Sequence, residues 1–195
     1  GIATPGGVTH QSIDDIAIMR VIPNMTVLEV GDATEVESVL DIAHAIDGPV
    51  YVRMLRGEVP RLFETPMEFN QARVLTRAGE DINEPADIVI VTSGICTEEA
   101  MRAVPAMVDR GLKVTHLHVS THKPFSDPTV TAALTSARKG VITMENHLVT
   151  GGLGSAVAEV MAENAIAVPL SRIGLNDTYA HGASLPYLLK EYQLD

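Results

Sequence analysis

The chain has 195 residues, 46% hydrophobic and 20% charged, with 4% aromatic and no Trp. That is enough apolar material for one large or two small globular domains with an aliphatic core, and too much for a disordered chain. A formal net charge of −11 argues against nucleic acid and anionic membrane as partners, since both require basic surface; a small phosphorylated ligand needs only one or two local cations.

The first six residues, Gly1–Gly6, read as a flexible run. A glycine-rich loop then leads through His10 into a helix, with Ser12 and Asp15 in capping-box spacing and Ile13, Ile16 and Ala17 as its apolar stripe up to Arg20. This sets His10 at or just before a helix N-terminus, where a neutral imidazole and bound anions are favoured. A helix-capping surface histidine is the plainer alternative.

Met25–Val30 reads as a buried strand, and Asp32 with Glu35 as an N-cap pair opening a helix from Ala33 to about Ala45. Val36, Val39, Leu40 and Ala43 are expected on its inner face. Asp47-Gly48-Pro49 turns the chain into a strand, Val50–Leu55, that ends at Arg56-Gly57. From 58 to 85 prolines and charges cluster, as in a linker, although 69–77 has the character of an edge strand.

The second half opens with the strand Asp87–Val91. A helix from Thr97 to Arg110, interrupted at Pro105, follows, and then a strand over 113–120 with Leu117 and Val119 on one side. Pro128 opens a helix to about Ala137, Gly140–Glu145 is a strand, and Gly151-Gly152-Leu153-Gly154 leads into a helix to Glu163. A last strand over 165–173 and a helical tail over 184–192 complete an open, mostly parallel α/β arrangement with helices on both faces.

Cys96 is the single cysteine, so no internal disulfide forms, which fits a cytoplasmic setting. No apolar run approaches the length of a membrane span, and there is no signal-like N-terminus. Cys96 precedes a helix, yet no triad partners are spaced around it, and it reads as structural. His116 and His118 share a strand face and would permit a metal pair, but with one Cys and no suitably spaced carboxylate, these two, His122 and His147 read as packing or surface residues, and no metal site is expected. The Gly151 loop resembles a phosphate cradle only weakly, because it lacks the full dinucleotide-binding spacing. A tight turn with close helix packing is the simpler reading.

The stretch Gly7-Val8-Thr9-His10-Gln11-Ser12-Ile13-Asp14-Asp15-Ile16-Ala17-Ile18-Met19-Arg20, followed by Val21-Ile22-Pro23-Asn24-Met25, resembles the transketolases. There a Gly-Pro-Thr-His-Gln run precedes a helix of the pyrimidine-binding domain. Val141-Ile142-Thr143-Met144-Glu145-Asn146-His147 and Gly151-Gly152-Leu153-Gly154-Ser155-Ala156-Val157-Ala158-Glu159 resemble the C-terminal domain of the same family. Deoxyxylulose-phosphate synthase is a weaker likeness, since it usually has His-His where this chain has His10-Gln11.

The resemblance implies a partial pyrimidine-binding domain over 1–57, a linker over 58–85 and a transketolase C-terminal domain over 86–195. It implies part of a thiamine-diphosphate-dependent enzyme that moves a two-carbon ketol unit between sugar phosphates. His10 would lie near the aminopyrimidine and the donor sugar, where a donor or acceptor suffices. Arg56 would clamp the sugar phosphate, for which a planar guanidinium is suited, while Arg53 is expected to be structural. Thiamine diphosphate and Mg²⁺ belong to the complete enzyme, and neither is expected on this chain alone.

The implied partners are an N-terminal transketolase subunit or segment, in a homodimer or heterotetramer. One departure stands out: Gly6 occupies the place of the family's aspartate, which accepts a hydrogen bond from the acceptor sugar, so an unusual acceptor is expected. A non-catalytic dimerisation or regulatory module is the alternative function, and a nucleotide-binding domain built on the Gly151 loop a third.

Overall fold

A computed structural model describes residues 1–3 and 6–195. Two sheets carry the chain. The first has the strand order β2-β1-β6, built from β1 (Thr26–Glu29), β2 (Val50–Arg53) and β6 (Thr121–Lys123). The second runs β3-β5-β4-β7-β8, from β3 (Arg73–Thr76), β4 (Ala86–Thr92), β5 (Val114–His118), β7 (Ala137–Leu148) and β8 (Leu170–Leu175). β1 pairs in parallel with β2, and β5, β4, β7 and β8 form a parallel set; β3 and β6 are the antiparallel members.

Period-two alternation in β4 sorts the second core into two layers. Val89 and Val91 face Val130, Ala133 and Leu134 of α4 (Pro128–Ser136) and Leu153, Val157 and Met161 of α5 (Leu153–Glu163). Ile88 and Ile90 face Cys96, Ala100 and Val104 of α3 (Cys96–Asp109) and Leu188 and Leu189 of α6 (Leu185–Glu191). The sheet is therefore covered by helices on both sides, as the alternating pattern requires. Pro105 sits inside α3, and Pro128 opens α4 beneath the Asp127 cap, whose carboxylate accepts from Thr129 N.

The smaller sheet packs on α1 (Asp15–Val21) and α2 (Ala33–Ala45). Asp32 caps α2 as the spacing implies, its carboxylate accepting from Glu35 N at 2.8 Å. Leu40 is the exception on α2: at 62% exposed it points outward, while Val39 and Ile42 join Leu28 and Val30 in the core.

Three local expectations are corrected. The first helix begins at Asp15 and not at Ser12, and it has no side-chain cap, because the Asp15 carboxylate is drawn into a buried ion pair instead. His10 ends a 3-10 turn, Gly7–His10, ahead of that helix. The N-terminal run is also not free: Ile2 lies in the main core, and its backbone is paired on both sides by the Asn146 amide. Thr4 and Pro5 of that run lie outside the described residues.

Residues 58–85 are stitched onto α2 before they enter β3. Leu62 N and Phe63 N both donate to the Asp32 carboxylate, Thr34 donates to Phe63 O, and Phe63 and Met67 are buried. β6 crosses the other way: it lies in the second half of the sequence yet pairs with β1.

Candidate active site

His10 and Arg56 come together. They line one cleft of about 260 Å³, along with Asp15, Tyr51 and Arg53. His10 is exposed at the end of its 3-10 turn, and Arg56 is exposed in the bend that follows β2. The strand stops at Arg53, three residues earlier than Arg56, so the phosphate-clamp candidate sits on a loop.

Thr9 Oγ1 lies 3.2 Å from Gly6 O and 2.8 Å from His10 Nδ1. One hydroxyl proton serves only one of these. Both bonds are made together when Thr9 donates to the carbonyl and His10 Nδ1–H donates to Thr9, which leaves Nε2 as the free acceptor. Gly6 has φ +137°, and a Cβ there would stand 3.0 Å from His10 Cβ and Cγ. The turn that presents His10 is thus built around a glycine, at the place where the resemblance leads one to expect aspartate.

The floor of the cleft is an ionic group that sequence reasoning missed. Arg53 is buried; its Nε donates to Asp15 Oδ2 at 2.8 Å, Nη1 pairs with Glu29, and Nη2 donates to Ser12 O at 3.1 Å and Asn146 O at 2.9 Å. Tyr51 OH donates to the same Asp15 oxygen at 2.8 Å, and His122 Nε2 to Glu29 Oε2 at 2.8 Å.

Burial opposes the charge on Asp15, Glu29 and Arg53, and their mutual pairing outweighs it. Asp15 and Glu29 are held below the usual carboxylate range by the Arg53 guanidinium, and Arg53 is held protonated by the two carboxylates. Burial and the Asp15 bond push the Tyr51 phenol up to about 12. A signal for this group was present: Arg53 is a charge in an otherwise apolar strand run, and such a charge demands partners. Its partners could not be named from spacing, because they come from distant segments.

His116, His118 and His147 are packing residues. His118 bridges Thr97 Oγ1 at 2.6 Å and Glu35 Oε2 at 3.0 Å; His116 Nε2 meets Thr92 Oγ1 at 3.0 Å; all are buried. A surface role is excluded for these two, and burial lowers His116 to about 4. His147 Nδ1–H donates to Leu148 O while Nε2 accepts from Ala17 N, which fixes one tautomer. Cys96 is wholly buried, and burial pushes its thiol up, away from reactivity.

The Gly151 loop has no room for a nucleotide phosphate. Glu145 already occupies the start of α5, accepting from Leu153 N at 2.7 Å and Gly154 N at 2.9 Å. The third functional reading falls on that contact.

These residues do not assemble a complete thiamine diphosphate site. The carboxylate lining the cleft, Asp15, is engaged by Arg53. Among the described residues, no three His, Cys, Asp or Glu side chains converge to hold a metal ion.

Residues 62–195 match the family model of the transketolase C-terminal domain, and residues 1–61 that of the transketolase pyrimidine binding domain. The chain belongs to the transketolase family.

A 6-deoxy-6-sulfo-D-fructose transketolase subunit of Clostridium sp. strain MSTE9 is 37% identical over 190 residues, covering 96% of this chain and 56% of that protein. A putative transketolase C-terminal section of Methanocaldococcus jannaschii is 35% identical over 189 residues, covering 97% of this chain and 58% of that one. Among solved structures, a split gene transketolase described as an inactive beta4 tetramer superposes with a TM-score of 0.84 at 35% identity, covering 98% of this chain and 61% of its own. The chain thus spans somewhat over half the length of these relatives. No helix among the described residues is long and apolar enough to cross a membrane.

Proposed function

We propose that this chain is the C-terminal part of a thiamine-diphosphate-dependent transketolase that moves a two-carbon ketol unit between sugar phosphates, completed by an N-terminal partner subunit or segment. In that enzyme His10 contacts the donor sugar near the aminopyrimidine, and Arg56 binds the sugar phosphate. The cofactor supplies the carbanion chemistry, and this chain supplies orientation and charge. One observation carries the reading: His10 and Arg56, far apart in sequence, line the same cleft in a chain of this family. The complete assembly is a homodimer or a heterotetramer working in the cytoplasm.

The donor and acceptor are hydroxylated phosphates or related anions. Gly6 leaves the acceptor hydroxyl without the family's carboxylate, which favours a branched or otherwise unusual acceptor over an ordinary aldose phosphate. The Clostridium relative, named for 6-deoxy-6-sulfo-D-fructose, supports a family that is permissive towards such sugars.

The test is reconstitution. The full-length chain and its N-terminal partner are mixed with thiamine diphosphate and Mg²⁺, and ketol transfer from a ketose phosphate is followed by product mass. Transfer is expected in the mixture and in neither part alone. Arg56→Ala is expected to raise KM for phosphorylated substrates on the order of 10- to 100-fold, the worth of a charge-assisted phosphate contact. An inactive mixture with every sugar phosphate would set the enzyme reading aside in favour of a dimerisation or regulatory module. Ribose 5-phosphate accepted as well as by an ordinary transketolase would remove the unusual-acceptor reading.

A further inference from the structure

Arg53 does more than fill a buried position. Each of its contacts is with an element that bears on the cleft. Ser12 O and Asp15 belong to the segment that follows His10 directly. Glu29 ends the neighbouring strand β1, in register with Arg53 itself. Asn146 lies near the end of β7, in the second sheet, and holds Ile2 through its own amide. β7 continues the grip two residues on, where Leu148 N donates to Ile13 O. The segment that follows His10 is therefore clamped between one guanidinium and the end of β7, and the strand that supplies the guanidinium leads directly into the bend that carries Arg56.

We propose that Arg53 is the positioning residue of the cleft: its four-way contact to Asp15, Glu29, Ser12 O and Asn146 O sets the placement of the His10 imidazole relative to Arg56. The proposal rests on the reading of His10 and Arg56 as the site. Stability alone is a weak reason for such a residue. A buried ion pair often contributes no more than well-packed apolar groups of the same volume, whereas a planar fork with fixed donors defines one geometry. Lysine keeps the charge and loses the fork.

The test uses Arg53→Lys and Arg53→Met in the full-length chain with its partner subunit, with Arg73→Lys as the control. Arg73 makes a comparable bridge, Nε to Glu35 Oε1 at 3.0 Å, but does not line the cleft. The first readout needs no turnover: the His10 ring signal in NMR of histidine-labelled protein, assigned by its loss in His10→Gln. Both Arg53 variants are expected to move this signal, and Arg73→Lys to leave it in place at a similar loss of thermal midpoint. The second readout is kinetic. Arg53→Lys is expected to lower kcat on the order of 10- to 100-fold through misplacement, with KM and inhibition by inorganic phosphate changed less than about twofold, because Arg56 is still present.

An unmoved His10 signal in the folded Arg53 variants overturns the positioning role, whatever the assay shows. So does wild-type kcat in Arg53→Lys, or an equal response in Arg73→Lys. A moved His10 signal in an assembly that transfers no ketol unit would keep Arg53 as the clamp and discard the transketolase activity.

Discussion

At the scale of single residues, the cleft is legible in proportion to how local its chemistry is. His10 and Arg56 stand in runs that carry a family likeness, and the structure brings both to one cleft. Gly6 is equally local, and its backbone explains its identity. Its φ is +137°, and any Cβ added there would stand 3.0 Å from His10 carbons, so Gly6→Asp is expected to cost about 1–3 kcal/mol of stability, read by urea denaturation. The substitution would then displace His10 before it supplied a useful carboxylate. Arg53, Asp15, Glu29 and His122 were illegible as a group because each contact closes a long loop in the chain. An Arg in an apolar strand announces that partners exist, and only the fold says which.

At the scale of elements, alternation of helix and strand was readable because period and punctuation agree: Asp32 and Asp127 cap, Pro128 opens, and β4 alternates between two cores. The start of α1 differs from its capping pattern because Asp15 has a stronger claim on it than capping, a salt bridge to Arg53. β6 escaped because three polar residues make no pattern, and their partner strand is remote.

The α5 start yields two predictions. Gly152 has no space for a side chain: a Cβ would overlap Glu145 Oε2 and lie 2.7 Å from His147 Nδ1, so Gly152→Ala is expected to destabilise by about 1–3 kcal/mol in denaturant titration. Glu145 itself is raised by burial to about 7 from 4.5. The folded state therefore binds more protons than the unfolded between those values, and this group's contribution is fully present at low pH and falls as pH rises to about 7. His116, lowered to about 4 from 6.5, acts oppositely, adding stability as pH rises through that window. The stability of wild type minus that of Glu145→Gln is expected to decline across pH 4.5 to 7. A difference independent of pH would remove Glu145 from the balance.

For the whole molecule, the proposed function makes the cleft one wall of an active site. The cleft offers an imidazole and two guanidiniums, and its carboxylate is already engaged. Isothermal titration of the isolated 195 residues with thiamine diphosphate and Mg²⁺ is expected to give no tight binding, and saturable heat would mean that the cup is more complete than the cleft suggests.

The crossing of β6 onto β1 has a mechanical meaning. The two family models meet between residues 61 and 62, yet β6, which pairs with β1, comes from the second of them. The seam is also bridged by Arg73–Glu35, by His122–Glu29 and by Lys123 donating to Arg20 O. A protease nick at the exposed residues Arg56, Gly57 and Glu58 would sever the backbone and leave the halves zipped together. Nicked protein should elute at the intact size on gel filtration and come apart only in denaturant, and separately expressed 1–61 and 62–195 should find each other when mixed. The chain is continuous in sequence, and the contacts across the seam are expected to hold it together without that continuity.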